Sequence, residues 1–363
     1  MNVPGVSTSS RLAQIDIIRG YCIASMVAGH VAPGSRLSWA LHAFPFFDGA
    51  SGFVMLSGLV LGIVQHKRLE RDGLRSVQVK TARRLGLIYV AQVAITLVAL
   101  AMVPLARLQH ENLPPVEGSG PVEVVARVLG LALAPPVGSV LRLYIVILAL
   151  AMLAYWLLRR GLPLVVLGGS LALYVVGQVA PQWTSFTAND GVTRGASWAG
   201  WQLLFMLTLL VGWHWRQWDV PALLRTRRWA WLGGSVLVIV AAEVLGPRLP
   251  GLYEKVTLGP GRIVTAFAVV VLLYVLLDVV LAAVPLARTL LRPVERIGQR
   301  SLDSYIIQAV VIVLLLSFVT FSTSGLVGTA LALGILGLCW GWAELRRWRS
   351  ARSVRPALVA ASA

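Results

Sequence analysis

A chain of 363 residues that is 57% hydrophobic and only 13% charged has too much apolar surface for a soluble core, since soluble domains carry about 25% charged residues. The formal net charge of +17 would suit nucleic acid if it formed one basic face. Here the basic residues sit in short loops between long apolar runs, 65–84 the most basic of them, which fits the positive-inside asymmetry of membrane proteins and argues against a nucleic-acid partner. The fold class expected is therefore all-α, a polytopic integral membrane helical bundle.

A helix needs about 20 apolar residues to cross the hydrocarbon core. Ten stretches fit: 16–33, 44–64, 85–105, 140–158, 163–180, 198–215, 229–246, 262–284, 302–321 and 325–343. No small-residue cleavage site follows the first, so it reads as a retained helix rather than a removed signal. The stretch 122–136 is apolar but short and ends at Pro135-Pro136, which suits a re-entrant or interfacial helix. Threading ten spans puts 23 Lys and Arg residues on one side and seven on the other, with Arg19 and Arg142 just inside helix ends. That asymmetry places both termini in the cytoplasm and the protein in the cytoplasmic membrane. Residues 1–343 read as a single transmembrane domain and 344–363 as a basic cytoplasmic tail, expected to be disordered. Cys22 and Cys339 fall within spans and lack metal-ligand spacing, so no metal site is expected.

Ionisable groups inside a bundle are costly and point to function. The first stretch carries Asp16, Arg19 and His30. Asp16 and Arg19 are three apart and share a face. His30 is 11 residues beyond Arg19, close to three turns, so it points the same way about 16 Å further along. The plainer alternatives are a helix cap with a snorkelling arginine, and an interfacial histidine. In the second stretch Asp48 lies at a depth similar to His30. It reads either as an N-cap or as the carboxylate that would fix a histidine tautomer. Ser57-Gly58 suits close helix packing.

Arg142 and Tyr144 open the fourth stretch. Trp198, Trp201 and Gln202 open the sixth, where the tryptophans read as interfacial anchors or as faces for a sugar ring. Glu243, Asp303, Ser304 and Gln308 are further polar groups near helix ends. On the basic side, Lys67, Arg68, Arg71, Arg75 and Lys80 lead to Arg83-Arg84. Topology accounts for this charge, and an anionic cofactor would also find it attractive.

Asp16-Ile17-Ile18-Arg19-Gly20 followed by His30 resembles the first-helix signature of the acyltransferase-3 superfamily of membrane acyltransferases. The closer resemblance is to the OpgC-like family, named for succinylation of osmoregulated periplasmic glucans. Its pattern is matched by Asp48, by Phe53-Val54-Met55-Leu56-Ser57-Gly58 and by Arg83-Arg84. Leu143-Tyr144, Trp201-Gln202-Leu203-Leu204-Phe205 and Gly298-Gln299-Arg300-Ser301-Leu302 follow in the same order. The chain departs from the family in having Gly29 and Ser51 where acidic residues are common. It also has Gln308 where superfamily members often have histidine.

The resemblance implies that residues 1–343 form an acyltransferase-like domain moving an acyl group, succinyl or acetyl, from cytoplasmic acyl-CoA to a hydroxyl of an extracytoplasmic glycan or polysaccharide. The partners implied are acyl-CoA, that glycan and membrane lipid, with no tightly bound cofactor. On this reading His30 is the base and Asp48 its orienter. Arg19, held by Asp16, guides the donor together with Arg83 and Arg84. Arg142, Tyr144, Trp198, Trp201 and Gln202 face the acyl group and acceptor, and Arg142 suits a succinyl carboxylate. The alternatives are a carrier or flippase for a glycan or lipid-linked precursor, and a structural or sensory membrane protein.

Overall fold

The computed structural model describes residues 10–104, 120–187, 194–316 and 325–360. The helices are α1 (Ser10–Val31), α2 (Arg36–Leu41), α3 (Gly49–Met102), α4 (Pro121–Leu129), α5 (Ser139–Arg159), α6 (Pro163–Val179) and α7 (Pro181–Thr184). They continue with α8 (Trp198–Trp213), α9 (Val220–Thr226), α10 (Arg228–Leu245), α11 (Pro260–Ala283), α12 (Pro285–Gln299), α13 (Ser301–Leu316) and α14 (Gly325–Ala360). Among the described residues the only strands are β1 (Ser185–Thr187) and β2 (Arg194–Ser197), an antiparallel pair before α8.

The described part of each of the ten apolar stretches falls mainly on a helix, two of them on α3, and residues 105 and 317–321 of those stretches lie outside the described residues. Among the described residues five segments are long and apolar enough to cross a bilayer: Gly49–Met102, Pro136–Arg159, Arg228–Leu245, Pro260–Ala283 and Gly325–Ser350. The pair Pro285–Gln299 and Ser301–Leu315, bent by 82°, makes a sixth if taken as one span. Helices α6 and α8, at 17 and 16 residues, are apolar but shorter. Large apolar side chains point outward, among them Leu87, Val90, Leu153, Leu164 and Leu237. Water would solvate that surface poorly and lipid solvates it well. This is an all-α protein of membrane type.

Three boundaries differ from the sequence reading. Helix α3 runs through 65–84, the segment expected to be a loop, and breaks only at Gly73 (φ 76°, ψ 172°). Its Arg, Lys, Glu and Gln side chains lose little freedom in a helix, while Gly73 takes the positive φ that other residues avoid. Within 122–136 only α4 is helical apart from the terminal Pro136, and its nine residues reach about 13 Å, too short to cross. Finally, α14 continues past residue 343 into the segment expected as a tail. Arg347 pairs there with Glu344 at 3.3 Å, one turn apart.

The described chain forms two compact units. The first comprises Met1–Ala43, Leu276–Val311 and Phe321–Ala363. Here α1 lies against α12 and α14, and Ile17, Leu281 and Ala287 form a core cluster. The contact between α1 and α12 is backbone-close. A Cβ on Gly298 would sit 1.7 Å from the Asp16 carbonyl oxygen, and one on Gly20 would sit 2.0 Å from that of Val294. Asp303 on α13 ties to α14 through Trp342 Nε1 (3.2 Å) and Arg346 (3.9 Å).

The second unit comprises Phe44–Val275 and Ile312–Thr320. Its centre is α3 against α8, flanked by α5 and α6. Gly58 gives the close packing that its sequence position suggested, since a Cβ there would meet the Phe205 carbonyl oxygen at 2.3 Å. Thr208 Oγ1 donates to the Met55 carbonyl at 2.7 Å, so the helix contact also carries a hydrogen bond.

Candidate functional site

In the first unit the sequence pair forms as expected. Arg19 Nη1 lies 3.6 Å from Asp16 Oδ1, with side chains only 11% and 18% exposed. Arg19 Nη2 also donates to Ser301 Oγ, at the first residue of α13. The close approach of Gly298 to Asp16 brings the α12–α13 joint onto this face of α1. Two residues before Asp16, Gln14 Nε2 donates to Asp278 Oδ1 at 2.9 Å. A guanidinium with a carboxylate on one side and a hydroxyl on the other keeps its charge and a fixed direction. Ser301 was quoted in the sequence only as part of a motif, and its pairing with Arg19 is set by the fold. His30 lies in the last turn of α1, exposed.

In the second unit Asp48 caps α3. Its Oδ1 accepts from Ser51 N (2.8 Å) and Ser51 Oγ (2.7 Å). Its Oδ2 lies 3.1 Å from Lys255 Nζ and 3.8 Å from Arg262 Nη1. Arg262 is fixed in turn, donating to the carbonyls of Tyr253 (2.7 Å) and Phe46 (3.1 Å). Phe46 takes a positive φ of 53° and stacks near Tyr253 with ring centroids 4.4 Å apart. Both Asp48 oxygens thus have partners inside this unit. Lys255 and Arg262 were not singled out from sequence. Their one signal was that they stand among the few basic residues on the sparse side.

The other predicted residues divide into groups. Arg142, 4% exposed, donates to the Leu131 carbonyl at 3.3 Å and lies 4.6 Å from the Phe186 ring centroid. Tyr144 belongs to an aromatic cluster, with Phe53 at 5.5 Å and Phe205 at 6.4 Å between centroids. Gln202 clamps α6 to α8: its Nε2 donates to the Ser170 carbonyl (2.8 Å) and its Oε1 accepts from Ser170 Oγ (2.7 Å). Trp201 is buried and Trp198 half-buried. A cavity of ≈ 280 Å³ opens beside the Ser170–Gln202 pair, its walls including Leu153, Leu157 and Met206.

Arg83 is exposed and Arg84 half-buried on the second half of α3. Nearby on the first half, Arg68 Nη1 donates to Gln65 Oε1 (2.7 Å), and Gln65 Nε2 donates to Thr81 Oγ1 (3.2 Å). A pocket of ≈ 220 Å³ lies between α3 and the end of α8, lined by His66, Lys67, Trp213, Trp215 and Arg216. Beside the Gly73 break, Asp72 accepts from Arg71 at 2.7 and 2.9 Å, and that hydrogen bonding holds its carboxyl down at about 2.

Chemically, the first unit offers a fixed buried cation and an exposed imidazole on one helix. The second offers a basic, indole-walled pocket and a capped carboxylate between two cations. Among the described residues no three His, Cys, Asp or Glu side chains gather as metal ligands. No curated protein matches the chain. The OpgC protein family, in contrast, matches residues 11–351, which take in the Asp16–Arg19 pair, Asp48 and the basic half of α3, and the chain belongs to that family.

Proposed function

We propose that the protein is a membrane-embedded O-acyltransferase that moves an acyl group, succinyl or acetyl, from cytoplasmic acyl-CoA to a hydroxyl of an extracytoplasmic glycan. The family and the long apolar helices fit a membrane-embedded enzyme that modifies glycans. The observation that carries the finer reading is the Asp16–Arg19–Ser301 arrangement on the helix that ends with His30. An ion pair this little exposed is costly to keep, and a shape-matched apolar replacement would serve stability as well.

The topology read from charge gives each end a task. With ten crossings, two of them made by α3 on either side of its basic connector, both termini face the cytoplasm. Arg19 then faces the compartment that holds acyl-CoA, and His30 lies about 16 Å further out. Arg19, oriented by Asp16, neutralises the donor near the thioester. Arg83, Arg84 and the pocket beside Lys67 and Arg216 attract its phosphates. His30 takes the proton of the acceptor hydroxyl as it attacks. Arg142 and Trp198 face the acyl group and glycan. Tyr144, Trp201 and Gln202 complete the acyl and acceptor side of this reading.

The test is His30→Ala in correctly inserted protein, assayed with labelled acyl-CoA and a glucan oligosaccharide. Loss of transfer with normal insertion is the expected result, and full retained transfer overturns the reading. A carrier would leave the thioester intact in detergent, whereas a transferase releases free coenzyme A.

A further inference from the structure

The first unit holds a second imidazole that the sequence did not single out. Helix α2 is capped by Ser35, whose Oγ accepts from Ser38 N at 3.0 Å. It is fastened to α1 by Tyr21, whose hydroxyl donates to the Leu41 carbonyl at 2.8 Å. The helix ends at His42. There the ring Nδ1 lies 2.8 Å from the Ser38 carbonyl oxygen. A carbonyl only accepts, so Nδ1 carries the hydrogen and Nε2 keeps its lone pair. That Nε2 lies 3.2 Å from Ser25 Oγ on α1, so the serine hydroxyl donates to it.

A hydroxyl, an imidazole and a group that fixes the imidazole's tautomer are the three parts of an activated nucleophile. Serines inside helices commonly bond back to the preceding turn, but Ser25 is aimed at the ring. Gly29, one turn further along α1, lies beside the ring: a Cβ there would be 3.4 Å from His42 Cε1 and Nε2, an ordinary contact distance. Ser25 is 1% exposed while His42 is exposed, so the ring lies between the hydroxyl and the surface. Along α1, Ser25 stands about 9 Å beyond Arg19 and about 8 Å before His30, midway between the donor and acceptor ends.

We propose that Ser25 and His42 form a nucleophile–base pair through which the acyl group passes as a serine ester, a step that rests on the acyl-transfer reading above. In the first half-reaction Ser25 Oγ attacks the thioester carbonyl and its proton passes to His42 Nε2. The Oγ–C bond forms, the C–S bond breaks, and coenzyme A leaves as the thiolate. In the second, a glycan hydroxyl attacks the ester carbon and gives its proton to His30. The C–Oγ bond breaks, and protonated His42 returns its proton to Ser25. His30 then releases its proton to water, and the thiolate takes one up.

The experiment uses the full chain in detergent with labelled succinyl-CoA or acetyl-CoA, first without acceptor and then with a glucan oligosaccharide, quenched and mapped by peptide mass. The expected result is one acyl group on the Ser25 peptide that is chased off by the glucan. It is absent in Ser25→Ala and replaced by a thioester in Ser25→Cys, which shows that the variant site still folds. His42→Asn slows labelling by about 10²-fold. The proposal is overturned if the wild type transfers label to glucan without ever carrying it, or if Ser25→Ala transfers at the wild-type rate. If coenzyme A is never released and glucan never labelled, the acyl-transfer reading itself fails and the relay falls with it.

Discussion

Arg19 and Asp16 lie 3.6 Å apart on successive turns of one helix, both largely buried, and the same guanidinium reaches Ser301, 282 residues away. One short ion pair therefore joins the start of the chain to the α12–α13 joint. Removing one partner leaves the other charge without compensation. Arg19→Ala should lower stability by about 3 kcal/mol and abolish transfer. Adding Asp16→Asn should restore much of the stability but none of the activity. Thermal unfolding in detergent and the transfer assay read the two effects separately.

The joint itself depends on Gly298. Its Cβ position is occupied by the Asp16 carbonyl, and backbone cannot swing aside as a side chain can. Gly298→Ala should cost about 1–3 kcal/mol through overpacking and displace Asp16. Gly168 on α6, with nothing within 4 Å of a Cβ, is the control: Gly168→Ala should be neutral or stabilise by about 0.5–1 kcal/mol. Equal melting shifts for the two variants would show that α1 and α12 are not held this closely.

Asp48 does two things that substitution can separate. Asp48→Ala removes the α3 cap and should cost about 1 kcal/mol. Asp48→Asn keeps an acceptor for Ser51 N and loses the negative charge facing Lys255 and Arg262. Lys255 is 62% exposed, so that pair adds little to stability. Arg262, only 14% exposed, loses its counter-charge as well, so Asp48→Asn should still melt below wild type. A fall of about tenfold or more in kcat in Asp48→Asn, measured well below its melting transition, would mark the carboxylate as acting on the chemistry, and unchanged kcat would leave it a structural group.

The basic pocket beside α8 predicts a binding effect. Lys67→Ala with Arg216→Ala should raise KM for acyl-CoA about tenfold while kcat changes little, because uniform binding is lost. The wild-type KM should rise with ionic strength and the variant's much less. A kcat effect with unchanged KM would place the donor elsewhere.

Much of this architecture is local and so was written in the chain. Apolar runs put helices at the ten stretches, and among the described residues five or six segments are long and apolar enough to cross a bilayer. The three-residue spacing of Asp16 and Arg19 put them on one face, because the turn is fixed by backbone geometry. The nine residues of α4 matched the expectation of a stretch too short to cross. Local sequence misled at 65–84, where polarity suggested a loop although polar, unbranched side chains continue a helix without strain.

Tertiary structure decided which polar groups meet. Gln202, read from sequence as substrate-binding, is bound to Ser170 across α6 and α8. Tyr144, read the same way, packs with the rings of Phe53 and Phe205. Lys255 and Arg262 find Asp48, and the Ser38 carbonyl sets the tautomer of His42. Periodicity tells which way a side chain points from its own helix. It does not say which helix arrives opposite, and for Asp16 and Arg19 that was settled by glycine contacts that let α12 come within backbone distance of α1.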